Sequence, residues 1–321
     1  MSFKVRRCLT TVVVFSVLIQ TQFAVNGYAV RGTKIAFTST RQDGLSEIYV
    51  MDGDGGNQVR LTYHAGHDGG ASWSPDSRRI AFVSNRDRGY DRIYVMDSDG
   101  QNMKRLTKDS TNRYPAWSPD GGRIAFTRNT QIYVMDTDGK NPVQLTHIGY
   151  NTQPAWSPDG KRIGFVSHRD GGAEIYVMDQ DGGNQERRTG NKAVKSAPAW
   201  SPDGRWIAYS SLDLQKVFQI YVVRSEGVPL KKKLTRKPPD KFHPVWSPDG
   251  DTIAYTSEVA FGNTRIHLMT DKGIFLKQFR EVGNGSDMSP DWVDPAAWSV
   301  PPAENVVTSW GKIKKPRSAL Q

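Results

Sequence analysis

Short apolar runs alternate with turn residues along most of the chain, and they come back in the same order. One run reads Ile35-Ala36-Phe37, Ile80-Ala81-Phe82, Ile124-Ala125-Phe126, Ile163-Gly164-Phe165, Ile207-Ala208-Tyr209 and Ile253-Ala254-Tyr255. A second starts at Ile48-Tyr49-Val50-Met51 and returns at Ile93, Ile132, Ile175, Ile220 and Ile266. A weaker third holds Leu61-Thr62, Leu106-Thr107, Leu145-Thr146, Arg188-Thr189 and Leu234-Thr235. Each run is too short for a useful helix, and its β-branched and aromatic content favours strands.

A fourth signal, Trp-Ser-Pro-Asp, stands at Trp73, Trp117, Trp156, Trp200 and Trp246, with a degenerate copy at Trp292. The spacings are 44, 39, 44, 46 and 46 residues. Periods of this size mark propeller blades of about four strands. The expected fold is all-β, a six-bladed propeller with four antiparallel strands per blade. The one short interval supports this. Ile80 to Ile93 spans 13 residues but Ile124 to Ile132 only 8, so the whole deletion falls in the loop between the second and third strands. The first strand, Lys34 to Ser39, has no Trp strand before it, and the sixth Trp strand comes last. The C-terminal Trp strand is therefore expected to join three N-terminal strands and close the ring, which removes exposed edges.

The 30 glycines and 18 prolines suit such a turn-rich fold. Formal net charge is +10, of which residues 1–29 contribute three. The remainder suits an anionic partner or surface without implying nucleic acid. Residues 1–29 read as a signal peptide: Lys4, Arg6 and Arg7, an apolar core from Leu9 to Ile19, then Gly27-Tyr28-Ala29. That core is too short and polar for a comfortable membrane span. A periplasmic or secreted location follows, with the propeller over 30–294 and a Pro-rich, basic tail over 295–321. Cys8 is the only cysteine, so the mature chain would hold no disulfide.

These residues resemble the TolB-type, WD-like (PD40) propeller repeat of bacterial exported proteins, over roughly 33–293. The resemblance rests on five intact Trp-Ser-Pro-Asp copies and six Ile-Tyr-Val-Met-like copies. It implies the architecture and a tendency to dock proteins or peptides on one face. TolB also carries an α/β domain before its propeller, for which the segment between Ala29 and Lys34 has no room; that puts TolB's own role in doubt.

Trp-Ser-Pro-Asp itself reads as structural. Trp packs between blades, Pro sets φ for a turn, Asp accepts turn amides, and the next Gly takes positive φ. In the first copy Ser77 stands at the glycine position, so strain is expected there. Asp-x-Asp-Gly-x-Asn, at Asp52/Asp54/Asn57, Asp97/Asp99/Asn102, Asp136/Asp138/Asn141 and Asp179/Asp181/Asn184, offers alternating oxygens to Ca²⁺. Each copy lacks a distant bidentate Glu and sits at a hairpin, so turn chemistry is the expectation and no cofactor is assigned.

The loops into the Trp strands vary between blades and approach the channel, so they are the candidate binding surface. They hold His64, His67 and Asp68; Arg113 and Tyr114; Tyr150 and Gln153; Lys195; Lys241, Phe242 and His243; and Asp287. No Gly-x-Ser-x-Gly elbow, His-Glu-x-x-His helix or phosphate loop occurs. A monomeric scaffold that binds an envelope or secreted protein or peptide is the expected function, touching membrane only peripherally or through an uncleaved signal. The alternative is a propeller hydrolase or lyase at the channel mouth, using His67 with Asp68, or His243, as ligand or base.

Overall fold

A computed structural model describes residues 32–87, 89–190, 193–259, 262–279 and 285–296. The leader at 1–29 and nearly all of the tail from 295 lie outside these residues. Among the described residues there is no helix, so none is long and apolar enough to cross a membrane.

Among the described residues, twenty-four strands form six four-stranded sheets, as the repeat predicts. Five sheets take their strands in chain order. The sixth has the order last, first, second, third. In it Asp287–Val293 lies antiparallel to Lys34–Ser39, with Trp292 opposite Ile35. The expected closure is therefore present. The expected deletion is also where the spacing put it. Arg123–Arg128 and Gln131–Asp136 are joined by Asn129 and Thr130 alone, and Asn129 takes φ +53° as a two-residue hairpin requires.

The core lies between blades. Each Trp of a Trp strand packs against the small residue of the preceding blade's Ile-Ala-Phe strand. Trp73 shares a cluster with Ala36, Trp117 with Ala81, Trp156 with Ala125, Trp246 with Ala208 and Trp292 with Ala254. The alanine is small because the indole needs its space. Blade-to-blade stacking also uses cations: the guanidinium carbons of Arg79, Arg123 and Arg162 sit 4.7, 4.9 and 5.0 Å over the next blade's Trp117, Trp156 and Trp200. Trp200 departs from the pattern. Its small partner is Gly164, where an added Cβ would come 3.0 Å from Trp200 Nε1. The indole N–H there donates to Ala155 O at 3.0 Å, while the Nε1 atoms of Trp73, Trp117, Trp156 and Trp246 find no protein acceptor among the described residues.

The Ser-Pro-Asp turns are self-contained. In the first, Ser74 Oγ donates to Asp76 Oδ1 at 2.6 Å and accepts Arg79 N–H at 2.9 Å. Ser77 takes φ +58°, where Gly121, Gly160, Gly204 and Gly250 take +69° to +80°. A left-handed residue with a Cβ costs about 1 kcal/mol. Ser77→Gly should therefore raise the melting temperature by roughly 2–4 °C. An unchanged or lower value in a thermal melt would contradict the strain.

Candidate functional site

The six Trp strands form the inner ring, and each carries a bulge. Pairing with the second strand slips between Gly69 and Ser72, Arg113 and Ala116, Thr152 and Ala155, Ser196 and Ala199, and Phe242 and Val245. The closing strand slips likewise. Proline accounts for five of the six: Pro115, Pro154, Pro198, Pro244 and Pro290 have no N–H for the ladder. The residue before each swings into the left-handed region: Tyr114 at φ +54°, Gln153 +55°, Ala197 +52°, His243 +49° and Ser289 +51°. In the strand without proline the place is taken by Gly70, at +59°. The preceding blade braces half of these bulges. Thr38, Thr127 and Thr256 accept the N–H of Gly70, Gln153 and Ser289 at 3.1, 3.2 and 3.1 Å.

The bulge residues line an axial channel of about 740 Å³, together with the prolines, the Trp edges and Ser72, Ala116, Ala155, Ala199, Val245 and Asp291. Five non-glycine residues held at positive φ are a conformational cost that rigid neighbours must support, a condition common at functional sites.

Several sequence candidates meet at this channel. Tyr114 and Gln153 line it, and Arg113 stands at its mouth with Nε paired to Asp91. Gln153 Oε1 accepts Ala197 N–H at 3.0 Å, which holds its amide. His67 is at the rim, its Nδ1 accepting Ser46 N–H at 3.3 Å. His243 faces the channel, and confinement pushes its pKa down to about 4, so the ring is neutral at physiological pH.

Other candidates make contacts within the scaffold, Asp68 while also lining the channel. The first residue of every Trp strand is buried and ties down a neighbouring loop. Asp68 accepts from Arg86 Nη2 at 2.7 Å, and Asp287 from Arg41 Nη2 at 2.7 Å. Asn112 and Asn151 do the same for Arg128 and Arg169, each at 3.1 Å. Lys195 pairs with Glu174 of the preceding blade at 2.9 Å, both side chains buried, and Lys241 donates to Lys237 O and Pro239 O at 2.6 and 2.7 Å. Tyr150 meets His168 edge-on at 5.1 Å, and Phe242 packs on Phe218 at 4.9 Å. His64 Nδ1 accepts the N–H of Gly66 at 3.0 Å.

Sequence reasoning missed Asp291, Ser72 and Ser289. The signal was there: the x-Pro-x-Trp phrase puts the residue before Pro and the residue after it on the channel wall.

A family profile described as the TolB beta propeller domain, PD40, matches residues 21–131 and 108–194, together more than half of the chain. The chain belongs to the PD40 family. No curated protein matches it. Among solved structures, TolB from Acinetobacter baumannii is similar over 81% of this chain and 66% of its own, at 24% identity and TM-score 0.72. The PD40 chain thus spans just under two thirds of that relative. A protein assigned as TolB from Agrobacterium tumefaciens matches over 79% and 90%, at 24% identity and TM-score 0.65. A chain of a nidogen/laminin complex matches over 82% and 99%, at 12% identity and TM-score 0.69.

The PD40 repeats also show what the Asp-x-Asp-Gly-x-Asn turns do. Asn57 Nδ2 donates to Asp52 Oδ2 at 2.6 Å, and Asp54 Oδ1 accepts Gly56 N–H at 2.9 Å. The Asn102, Asn141 and Asn184 copies repeat the first bond at 2.6, 2.7 and 2.6 Å. Both carboxylates are thus engaged by the turn's own donors. Calcium is expected to leave the melting temperature unchanged; a saturable rise would show that these turns bind it.

Proposed function

We propose that this PD40 propeller is an exported scaffold that binds a protein or peptide segment at the mouth of its central channel. The observation that carries the reading is the axial cavity of about 740 Å³ with Arg113, Tyr114 and Gln153 among its lining residues. Its size suits an extended segment or a few side chains. The bulged backbone presents those side chains from strands, not loops, so little entropy is lost on binding. Tyrosine and arginine are frequent anchors at interfaces. Tyr114 is 40% exposed although it stands on the innermost strand.

The relatives lend support at the level of architecture. One of them is a chain crystallised in a nidogen/laminin complex. Carrying protein binding over to this chain is our reading, as is a periplasmic or secreted location, which rests on the leader in residues 1–29.

A benzophenone-bearing amino acid at position 114 tests the proposal. Irradiation in envelope extract should give a discrete adduct from position 114 and none from Val59, which is exposed on an outermost strand. Equal labelling from both positions would count against a binding mouth.

A further inference from the structure

Asp291 is the fifth residue of the closing Trp strand. The five equivalent places hold Ser72, Ala116, Ala155, Ala199 and Val245. Asp291 Oδ2 accepts the N–H of Trp73 at 2.6 Å. Ser72 Oγ does the same for Trp117 N–H at 3.3 Å, and the alanine and valine positions have no side-chain acceptor to offer. The ring contact therefore does not need a charge.

The charge also lacks a counter-ion. Asp68, Asp91, Asp213 and Asp287 each meet a Lys or Arg nitrogen, whereas no such pair involves Asp291 among the described residues. The channel wall it belongs to is built of proline, alanine, valine and indole together with Ser, Gln, His and Tyr side chains, with Arg113 at the mouth. An ionised carboxylate in such a setting is costly until a cation joins it. Burial accordingly pushes its pKa up to about 6.

A second, independent feature lies on the adjacent strand. His243 lines the same channel, and its Nδ1 is buried without a hydrogen-bond partner. Three strands round the ring from His243, across the channel, stands the ring of Tyr114. A neutral imidazole nitrogen can pair with an N–H, and a phenol face attracts a cation.

We propose that the channel takes up a guanidinium group, the side chain of an arginine in a peptide, and pairs it with Asp291. This rests on the peptide-binding reading above and names the group that the channel recognises. Calcium or magnesium would want six or more oxygen ligands, and among the described residues no three His, Cys, Asp or Glu side chains come together as a metal site would need. A guanidinium is weakly hydrated, offers five donors in a plane and stacks on aromatic rings, so it leaves water for a partly apolar channel at lower cost than an ammonium. Its methylene stem would lie along Val245, Pro244 and Pro290.

Calorimetric titration of the full chain with three blocked pentapeptides tests this. They are alanine peptides with a central arginine, lysine or citrulline; citrulline keeps the shape and loses the charge. The arginine peptide should bind saturably and at least ~10-fold more tightly than the other two, a gap of about 1.4 kcal/mol. Asp291→Asn and Asp291→Ser should erase that preference while melting close to the parent, because both keep an acceptor for Trp73 N–H. An arginine preference that survives in both variants overturns the assignment, as does absence of binding by the arginine peptide at millimolar concentration. Equal binding of the lysine peptide overturns the choice of guanidinium. If all three peptides bind alike and Tyr114→Ala abolishes them together, the guanidinium assignment falls while binding at the mouth stands.

Discussion

Trp292→Ala is expected to destabilise the propeller by about 3–5 kcal/mol, the usual cost of deleting a buried indole. Trp292 is only 8% exposed and shares a cluster with Ile35, Phe37, Tyr49 and Ala254, so it touches the first and last blades at once. Its Nε1 also donates to Thr33 Oγ1 at 2.9 Å. The melting temperature should fall by roughly 10 °C for a domain of this size. Trp292→Phe should cost less, because most of the packing survives and the indole hydrogen bond is what is lost. The comparison has a purpose beyond packing. A closing strand that holds the ring together makes both ends of the chain one cooperative unit. A loss below about 1 kcal/mol in a denaturant titration of Trp292→Ala would mean that the last strand is an accessory to an already stable ring.

Gly139→Val should be comparably damaging, by about 3 kcal/mol. Two costs add. Gly139 has φ +88°, a region where a β-branched residue is strongly disfavoured. Its Cβ would also meet Leu106 O at 2.6 Å and Leu106 Cα at 3.1 Å, backbone atoms of the preceding blade that cannot turn aside. Gly100 and Gly182 face Leu61 O and Leu145 O in the same way, at 2.9 and 2.7 Å. The Asp-Gly turn of one blade is therefore seated on the Leu-Thr strand of the one before it. Gly171→Val is the control. It has φ +81° but nothing within 4 Å of its Cβ, so only the backbone cost applies. Equal losses at both sites would show that the inter-blade seat contributes nothing.

The blade count, the closure and the two-residue hairpin could be read from the chain because each is a matter of period. Trp, Ile and Met recur at fixed intervals, and an interruption shows at once. The channel was harder. A polar residue at the border of loop and strand reads the same whether it is exposed or buried. Asp68 and Asp287 read as mouth residues; each is buried against an arginine, one 18 and the other 246 positions away, and Asp68 lines the channel as well. Lys195 likewise finds Glu174 only when blades are stacked. Asp291 is hard to see in the sequence because it sits in the degenerate sixth repeat, where Ser-Pro-Asp-Trp departs from Trp-Ser-Pro-Asp. Its position on the wall follows from the proline bulge. Proline in Trp-Ser-Pro-Asp reads as a turn former, whereas the earlier proline of x-Pro-x-Trp acts as a ladder breaker, a role that periodicity does not signal.

The bulge is also the reason the proposed binding is assigned to the axis. The face with Ser-Pro-Asp and Asp-Gly turns is tied together by short bonds such as Ser98 N–H to Arg78 O at 2.8 Å and Gln180 N–H to Lys161 O at 2.9 Å. Its turns repeat from blade to blade. The opposite rim differs in each blade, and its inner positions open on the channel.

Capture of a partner by the full chain and by the triple variant Arg113→Ala, Tyr114→Ala and Phe242→Ala tests the central claim most directly. Matched melting temperatures must first show that the fold survives, since Phe242 packs on Phe218. The account predicts that a species retained by the parent from envelope extract is lost by the triple variant, and retained by a control variant altered on the outer strands at Lys231 and Lys232. Equal retention by the parent and the triple variant, with loss in the outer-strand control, would place binding on the rim of the blades and contradict a site at the channel mouth.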